Sequence, residues 1–158
     1  MKLNDFDTII FDLDFTVWNG CRDKYWGKNL ISPLNLQGRR ITGSDGDSIE
    51  FQEGIKEVIT FLHEHNKRIG FITLGGLLTV DYDQEPVVEC LKMYGIYKYF
   101  NHQKTVLFKT DKKSRHIIKN GKTIFIDDNE EVLSDIRDNC PDITAVNRYS
   151  FANWKELI

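Results

Sequence analysis

At 158 residues, 41% hydrophobic and 28% charged, the chain has the composition of one ordinary soluble globular domain, long enough to bury a real core. A formal net charge of −3 leaves no basic footprint, so nucleic acid is not an expected partner. No apolar run approaches the ~20 residues of a membrane span, and the opening MKLNDFD lacks a signal-peptide core, so a cytoplasmic protein with no membrane partner is expected.

The first predicted element lies in TIIFDLDFT, residues 8–16. Its β-branched and aromatic run shows no polar alternation, as in a strand buried on both faces of a parallel sheet. Asp12 and Asp14 follow where that run stops, at the carboxyl end of the strand, where open α/β folds place their ligands. Two acids so close repel one another unless a cation lies between them, most simply a divalent metal. An isolated D-x-D also reads as a solvated acidic turn.

Residues 17–52 are rich in Gly, Asn and Asp and carry Trp18, Tyr25 and Trp26. Short strands are predicted at 34–37 and 41–42, turning at Gly38, with 48–51 pairing as another, so the stretch reads as an inserted flap. Asp45 and Asp47 lack the further acids of a calcium-binding EF-hand loop and read as a solvated turn. Arg39 and Arg40 read either as a solvated basic turn or as donors to a substrate's leaving group. Trp18 and Trp26 read either as core residues or as apolar faces for that group.

Ile55, Val58, Ile59 and Leu62 predict an amphipathic helix over 53–66, with His63 and His65 on its surface. A second buried strand, 68–73, ends at Thr73 ahead of Leu74, Gly75 and Gly76. A helix follows from about Glu85, with Pro86 in its first turn and Val87, Val88, Leu91 and Met93 inward. Residues 104–108 are a third strand candidate, and Asp111 is the predicted N-cap of a short helix closed at Asn120 and Gly121. A strand from Thr123 runs into Asp127 and Asp128. Asn129 opens a helix with Val132, Leu133 and Ile136 on one face. Residues 141–146 give a last strand and 151–158 a terminal helix packed through Phe151, Trp154 and Leu157. Strands alternating with helices predict a single α/β domain over 1–158, with a mainly parallel, doubly wound sheet. Cys21, Cys90 and Cys140 are odd in number and show no C-x-x-C spacing, which fits reduced thiols.

Such a sheet brings Asp12, Asp14, Thr73, Asp127 and Asp128 to one edge, with Lys112 and Lys113 nearby. Singly, each has a plain structural reading: a strand-end hydroxyl, a helix cap, a solvated lysine. Jointly, FDLDFT, FIT, a lysine before a short helix and FIDDN resemble the haloacid dehalogenase superfamily of aspartyl phosphotransferases. FDLDFTVW more particularly resembles its magnesium-dependent phosphatase-1 branch. The resemblance spans residues 8–129. It departs from the family in TLGG after Thr73 and in the double lysine.

The resemblance implies a three-layer, Rossmann-like fold with a small flap and no large cap domain. It also implies a Mg²⁺-dependent phosphomonoester hydrolase acting through an aspartyl-phosphate. Asp12 would be the nucleophile and Asp14 the acid and base. Asp12, the Asp14 carbonyl and Asp128 would hold the metal, with Asp127 orienting the site. Thr73, the Leu74 amide and a lysine would bind phosphoryl oxygens. Lys113 has the better offset, though Lys112 stays open. The substrate is a phosphoprotein or a sugar or other small-metabolite phosphate. The alternatives are a transferase of similar fold, a non-catalytic regulatory domain and a response-regulator receiver domain. The last places its phosphorylated Asp on a middle strand, where this chain offers none.

Overall fold

The computed structural model describes residues 1–20, 30–75, 86–107 and 111–158. The expectations at Cys21, Tyr25, Trp26, Gly76, Glu85 and Phe108 lie outside them.

Five strands form a wholly parallel sheet: β1 (Thr8–Phe11), β6 (Arg68–Gly75), β7 (His102–Leu107), β8 (Thr123–Asp127) and β9 (Thr144–Asn147), in the order β7-β6-β1-β8-β9. The chain first builds outward from β1 through β6 to β7. It then returns to the other side of β1 for β8 and β9, so the winding reverses between β1 and β8. Crevices at such a reversal are where open parallel sheets bind ligands.

Alternation along the strands sorts the core. Ile9 and Phe11 of β1, Ile69 and Phe71 of β6, and Ile124 and Ile126 of β8 face one apolar cluster. Ile10, Ile72 and Phe125 face the other. Helix α1 (Ile55–Glu64) covers the first face through Ile55, Val58, Ile59 and Leu62, all fully buried as their spacing predicts. Helix α2 (Pro86–Tyr94) joins that face through Cys90, Leu91 and Tyr94. Val88 is buried as expected, whereas Val87 and Met93 are only half-buried against the same cluster. Helix α3 (Glu130–Asn139) covers the opposite face through Leu133 and Ile136. Its N-cap Asn129 accepts hydrogen bonds from the Glu131 and Val132 amides. The fold is therefore α/β with helices on both faces of a parallel sheet. No helix among the described residues is long and apolar enough to cross a membrane.

The flap strands form as expected, with one addition. β3 (Asn35–Gln37), β4 (Arg40–Thr42) and β5 (Ser48–Phe51) pair antiparallel, and β2 (Trp18–Gly20) joins β5 to give the order β2-β5-β4-β3. β2 runs against β5 closely enough that a Cβ on Gly20 (φ +138°) would stand 2.5 Å from the Ser48 carbonyl oxygen. The flap is seated on the core: Trp18 meets Phe51 edge-to-face at 5.4 Å, and Phe51 stacks on Tyr94 at 3.7 Å. Trp18 is thus a core residue. Arg39 and Arg40 both pair with Glu50, and Arg39 also donates to the Phe51 carbonyl, with the Arg40 side chain still 60% exposed. Asp47, expected to be solvated, is buried, its amide held by Asp45.

Two expected helices are single 3₁₀ turns. The one after Asp111 spans only Lys113–His116, because Asp111 binds the His116 ring rather than capping, and the chain is extended again at Ile117. The terminal one spans Trp154–Leu157, where three residues per turn place both apolar ends on the core. Trp154 is fully buried against Phe11, the residue before Asp12, at 5.5 Å. Trp154→Ala is expected to cost about 3–5 kcal/mol in urea unfolding. Trp154→Phe should cost less than half of that, because the buried indole N–H has no hydrogen bond to lose. Equal losses would show that ring packing is not what Trp154 contributes.

Candidate functional site

β1 and β8 run parallel with Phe11 opposite Ile126, and the Asp12 amide donates to the Ile126 carbonyl at 2.8 Å. The next residue on each strand is an aspartate, so Asp12 and Asp127 emerge side by side where the apolar runs end. Both are buried, Asp12 at 4% and Asp127 at 1% exposure. Two buried, ionised carboxylates are costly without a counter-charge. Lys113 supplies it from the turn between β7 and β8: its Nζ donates to Asp12 Oδ1 at 2.5 Å and to Asp127 Oδ2 at 2.7 Å. The second Asp127 oxygen accepts from the Asn129 amide at 2.8 Å, which ties the cluster to the start of α3.

The two lysines are thereby separated. Lys113 is only 4% exposed inside the cluster. Lys112 points away to Asp135 on α3 at 2.5 Å, its side chain 62% exposed. Burial alone would lower the Lys113 ammonium, but Asp12 and Asp127 hold it above its ordinary value, so it keeps its proton. Burial pushes the Asp12 carboxyl well up, with Lys113 opposing and Asp127 and Asp14 adding to the rise.

Asp14 leaves the strand line and is half-buried. Its Oδ1 accepts from the Trp18 indole N–H at 2.9 Å. Burial raises its carboxyl, and Trp18 partly opposes the rise. Asp128 is half-buried, and burial together with the neighbouring Asp127 pushes it up to about 6. Carboxylate oxygens of Asp12, Asp127 and Asp128 lie within 4.8 Å of one another, a grouping that can hold a metal ion. The Asp14 carboxylate stands outside that trio.

β6 runs on to Gly75, two residues beyond the expected end at Thr73, so Thr73 lies within the strand; it is 1% exposed, and its hydroxyl has no hydrogen-bond partner. Leu74 is half-buried against the Ile10–Ile72–Phe125 cluster. Around the sequence-predicted residues lie partners that single motifs do not reveal. Trp18 binds Asp14, and Asn147, opposite Asp127 on β9, donates to the Asp128 carbonyl at 3.4 Å. The Trp18 contact has a readable signal, an aromatic donor four residues beyond an acid; the Asn147 contact depends on the β8–β9 register.

The arrangement places the buried Asp12 carboxylate beside a fixed ammonium, with two further raised carboxyls, an all-oxygen donor set and a buried, unsatisfied hydroxyl nearby. No protein-family model and no curated protein matches the chain. Replacing Lys113 with Met is expected to destabilise the fold by about 3–5 kcal/mol at pH 7, since it leaves two buried carboxylates unpaired. That deficit should shrink as the pH falls, because protonating Asp12, whose carboxyl burial raises above its unfolded value, removes part of the buried charge. Lys112→Met should change stability by less than about 1 kcal/mol. Equal losses from the two variants, measured by urea unfolding at pH 7 and pH 5, would show that Lys113 is not the internal counter-charge.

Proposed function

We propose that the protein is a Mg²⁺-dependent phosphomonoester hydrolase of the haloacid dehalogenase type, with that superfamily's Rossmann-like core, working through an aspartyl-phosphate. The observation that carries this reading is the Lys113 ammonium held between Asp12 and Asp127 at the carboxyl edge of the sheet, with Asp128 completing a three-carboxylate cluster.

The residues divide the chemistry as follows. With Asp12 Oδ1 engaged by Lys113, Oδ2 is the oxygen that attacks phosphorus. The new O–P bond forms as the ester P–O bond breaks, and the leaving oxygen takes a proton from Asp14. Burial keeps Asp14 protonated to higher pH than an exposed carboxyl, which suits an acid. Asp14, now a carboxylate, accepts a proton from the attacking water. Water's oxygen bonds to phosphorus, the acyl-phosphate O–P bond breaks, and inorganic phosphate leaves with Asp12 restored. Lys113 neutralises phosphoryl charge, and the unpartnered Thr73 hydroxyl with the Leu74 amide offers donors to the phosphoryl oxygens.

The donor set fits a hard divalent cation. Its ligands are all oxygen, and the carboxylates of Asp12, Asp14, Asp127 and Asp128 outnumber the single Lys113 ammonium. Asp12, Asp128 and the Asp14 carbonyl would hold the ion, with Asp127 beside them. Bound there, Mg²⁺ would offset negative charge on the phosphoryl oxygens. Substrates of this reading are phosphoproteins and phosphorylated small molecules.

Phosphate release from a panel of phosphomonoesters, with and without Mg²⁺, tests the assignment. Turnover that requires Mg²⁺ and disappears in Asp12→Asn supports it, and silence across the panel refutes it. Asp14→Asn should slow alkyl phosphates far more than nitrophenyl phosphate, whose leaving group needs no proton. Equal slowing would remove Asp14 from the acid's role.

The metal assignment has a readout independent of turnover. Because burial raises Asp128 to about 6, its ionisation costs stability progressively as the pH climbs from the ordinary carboxylate range to about 6, and the full cost stands above that. In chelator at pH 7.5, Asp128→Asn is therefore expected to melt higher than the parent. Added Mg²⁺ should raise the parent's Tm by mass action and raise the variant's far less. The parent's increment should also fade below about pH 6, because a ligating carboxylate must be deprotonated. An undiminished Mg²⁺ increment in the variant would remove Asp128 from the ligand set.

A further inference from the structure

Between Asp14 and Thr16 the chain places Phe15 in the left-handed region, at φ +57°. Asn66 is the other non-glycine residue at positive φ among those described, and Asn tolerates that region where a bulky aromatic does not. The backbone has little freedom to escape. The Leu13 carbonyl accepts the amides of Thr16, Val17 and Trp18 at 3.2, 2.8 and 3.2 Å. Leu13, Thr16 and Val17 are fully buried, and Trp18 is anchored on Phe51 and Asp14.

The Phe15 ring takes no part in this anchoring. It is 45% exposed amid buried neighbours and forms no ring pair with any described residue. Gly or Asn would satisfy the same turn with less strain and without placing an apolar ring in water. The fold therefore gives no reason for an aromatic residue here. Strained, exposed residues that their surroundings hold in place are concentrated at ligand-binding sites. Phe15 directly follows the proposed acid, the group that must touch the leaving oxygen.

We propose that Phe15 is a specificity-determining residue whose ring contacts the leaving group, and that the preferred substrates are phosphomonoesters of a flat, apolar alcohol, an aryl group or similar ring. This rests on the phosphatase reading above. The ring carries no charge, so it adds nothing to phosphoryl binding and discriminates only by what lies beyond the ester oxygen. An aromatic contact of ordinary strength is worth about 3–10-fold in binding.

The test compares the parent, Phe15→Asn and Phe15→Tyr with Mg²⁺ on 1-naphthyl phosphate and acetyl phosphate. The quantity read is the ratio of kcat/KM for the first substrate to that for the second. Phe15→Asn is expected to lower this ratio about 3–10-fold, mainly through KM for the naphthyl ester. Phe15→Tyr, which restores a ring, should keep it within about 2-fold. Phe15→Asn should also melt no lower than the parent, since it relieves strain. A ratio that stays at the parent's value in Phe15→Asn while the parent turns over both compounds, the ester and the acyl phosphate, overturns this inference alone. A parent that releases phosphate from neither compound, while folded and Mg²⁺-responsive, refutes the phosphatase reading and this inference with it.

Discussion

The Lys113 ammonium between Asp12 and Asp127 is the interaction on which the site depends, and it constrains much of the fold. A buried ion pair is expensive, because neither charge recovers its hydration except through its partner. Here one ammonium serves two carboxylates, so a small displacement of any one strands the others. The segment that carries Lys113 is pinned accordingly. Lys112 is tied to Asp135 and His116 to Asp111, His102 contacts the His116 carbonyl, and Cys140 donates to the Ser114 carbonyl. A four-residue 3₁₀ turn could not hold a buried ammonium by itself; these contacts anchor it to β7 and α3.

The sheet meets the other half of the requirement. β1 and β8 must be neighbours, parallel, and in a register that makes their first residues beyond the apolar run coincide. Ile9, Phe11, Ile124 and Ile126 on one face, with Ile10 and Phe125 on the other, lock that register, since a slip of one residue would exchange the two faces. The flap then adds Trp18, which has two tasks. Its ring packs on Phe51, and its N–H orients Asp14. The proposed acid is thus held by the same side chain that seats the flap, so loosening the flap would also loosen the acid.

Several features of this edge work against stability. Asp12, Asp14 and Asp128 are all raised by burial, the Thr16 and Thr73 hydroxyls are buried without partners, and Phe15 is strained and exposed. In the helices the local rules are kept: α1 and α3 bury their apolar stripes and Asn129 caps α3. The Trp154 indole N–H and the Arg148 Nε are also buried without partners, but only at this edge do raised carboxyls, an unpartnered hydroxyl and a strained, exposed ring occur together.

Periodicity determined the fold class and most elements. Buried strands need continuous β-branched and aromatic runs, and α1 and α3 need apolar residues at helical spacing, so local sequence carried those assignments. The same runs marked Asp12, Asp14 and Asp127 as groups at strand ends, because a strand's end is written where its apolar run stops; Thr73 was misplaced there, since β6 pairs with β7 as far as Gly75. Two short helices were overstated: i and i+3 spacing does not distinguish one 3₁₀ turn from an α-helix, and the Asp111–His116 contact that replaces a cap is made by side chains. The choice between Lys112 and Lys113 could not be read locally either. Adjacent lysines have the same composition and nearly the same spacing, and only the docking of their turn against α3 sends one outward to Asp135 and the other inward. Tertiary structure likewise decided that Arg39 and Arg40 are committed to Glu50, that Trp18 holds Asp14, and that Asn147 meets the Asp128 carbonyl. Each of these pairings joins residues that become neighbours only through strand register or a turn, and register is set by packing on both faces of a sheet at once.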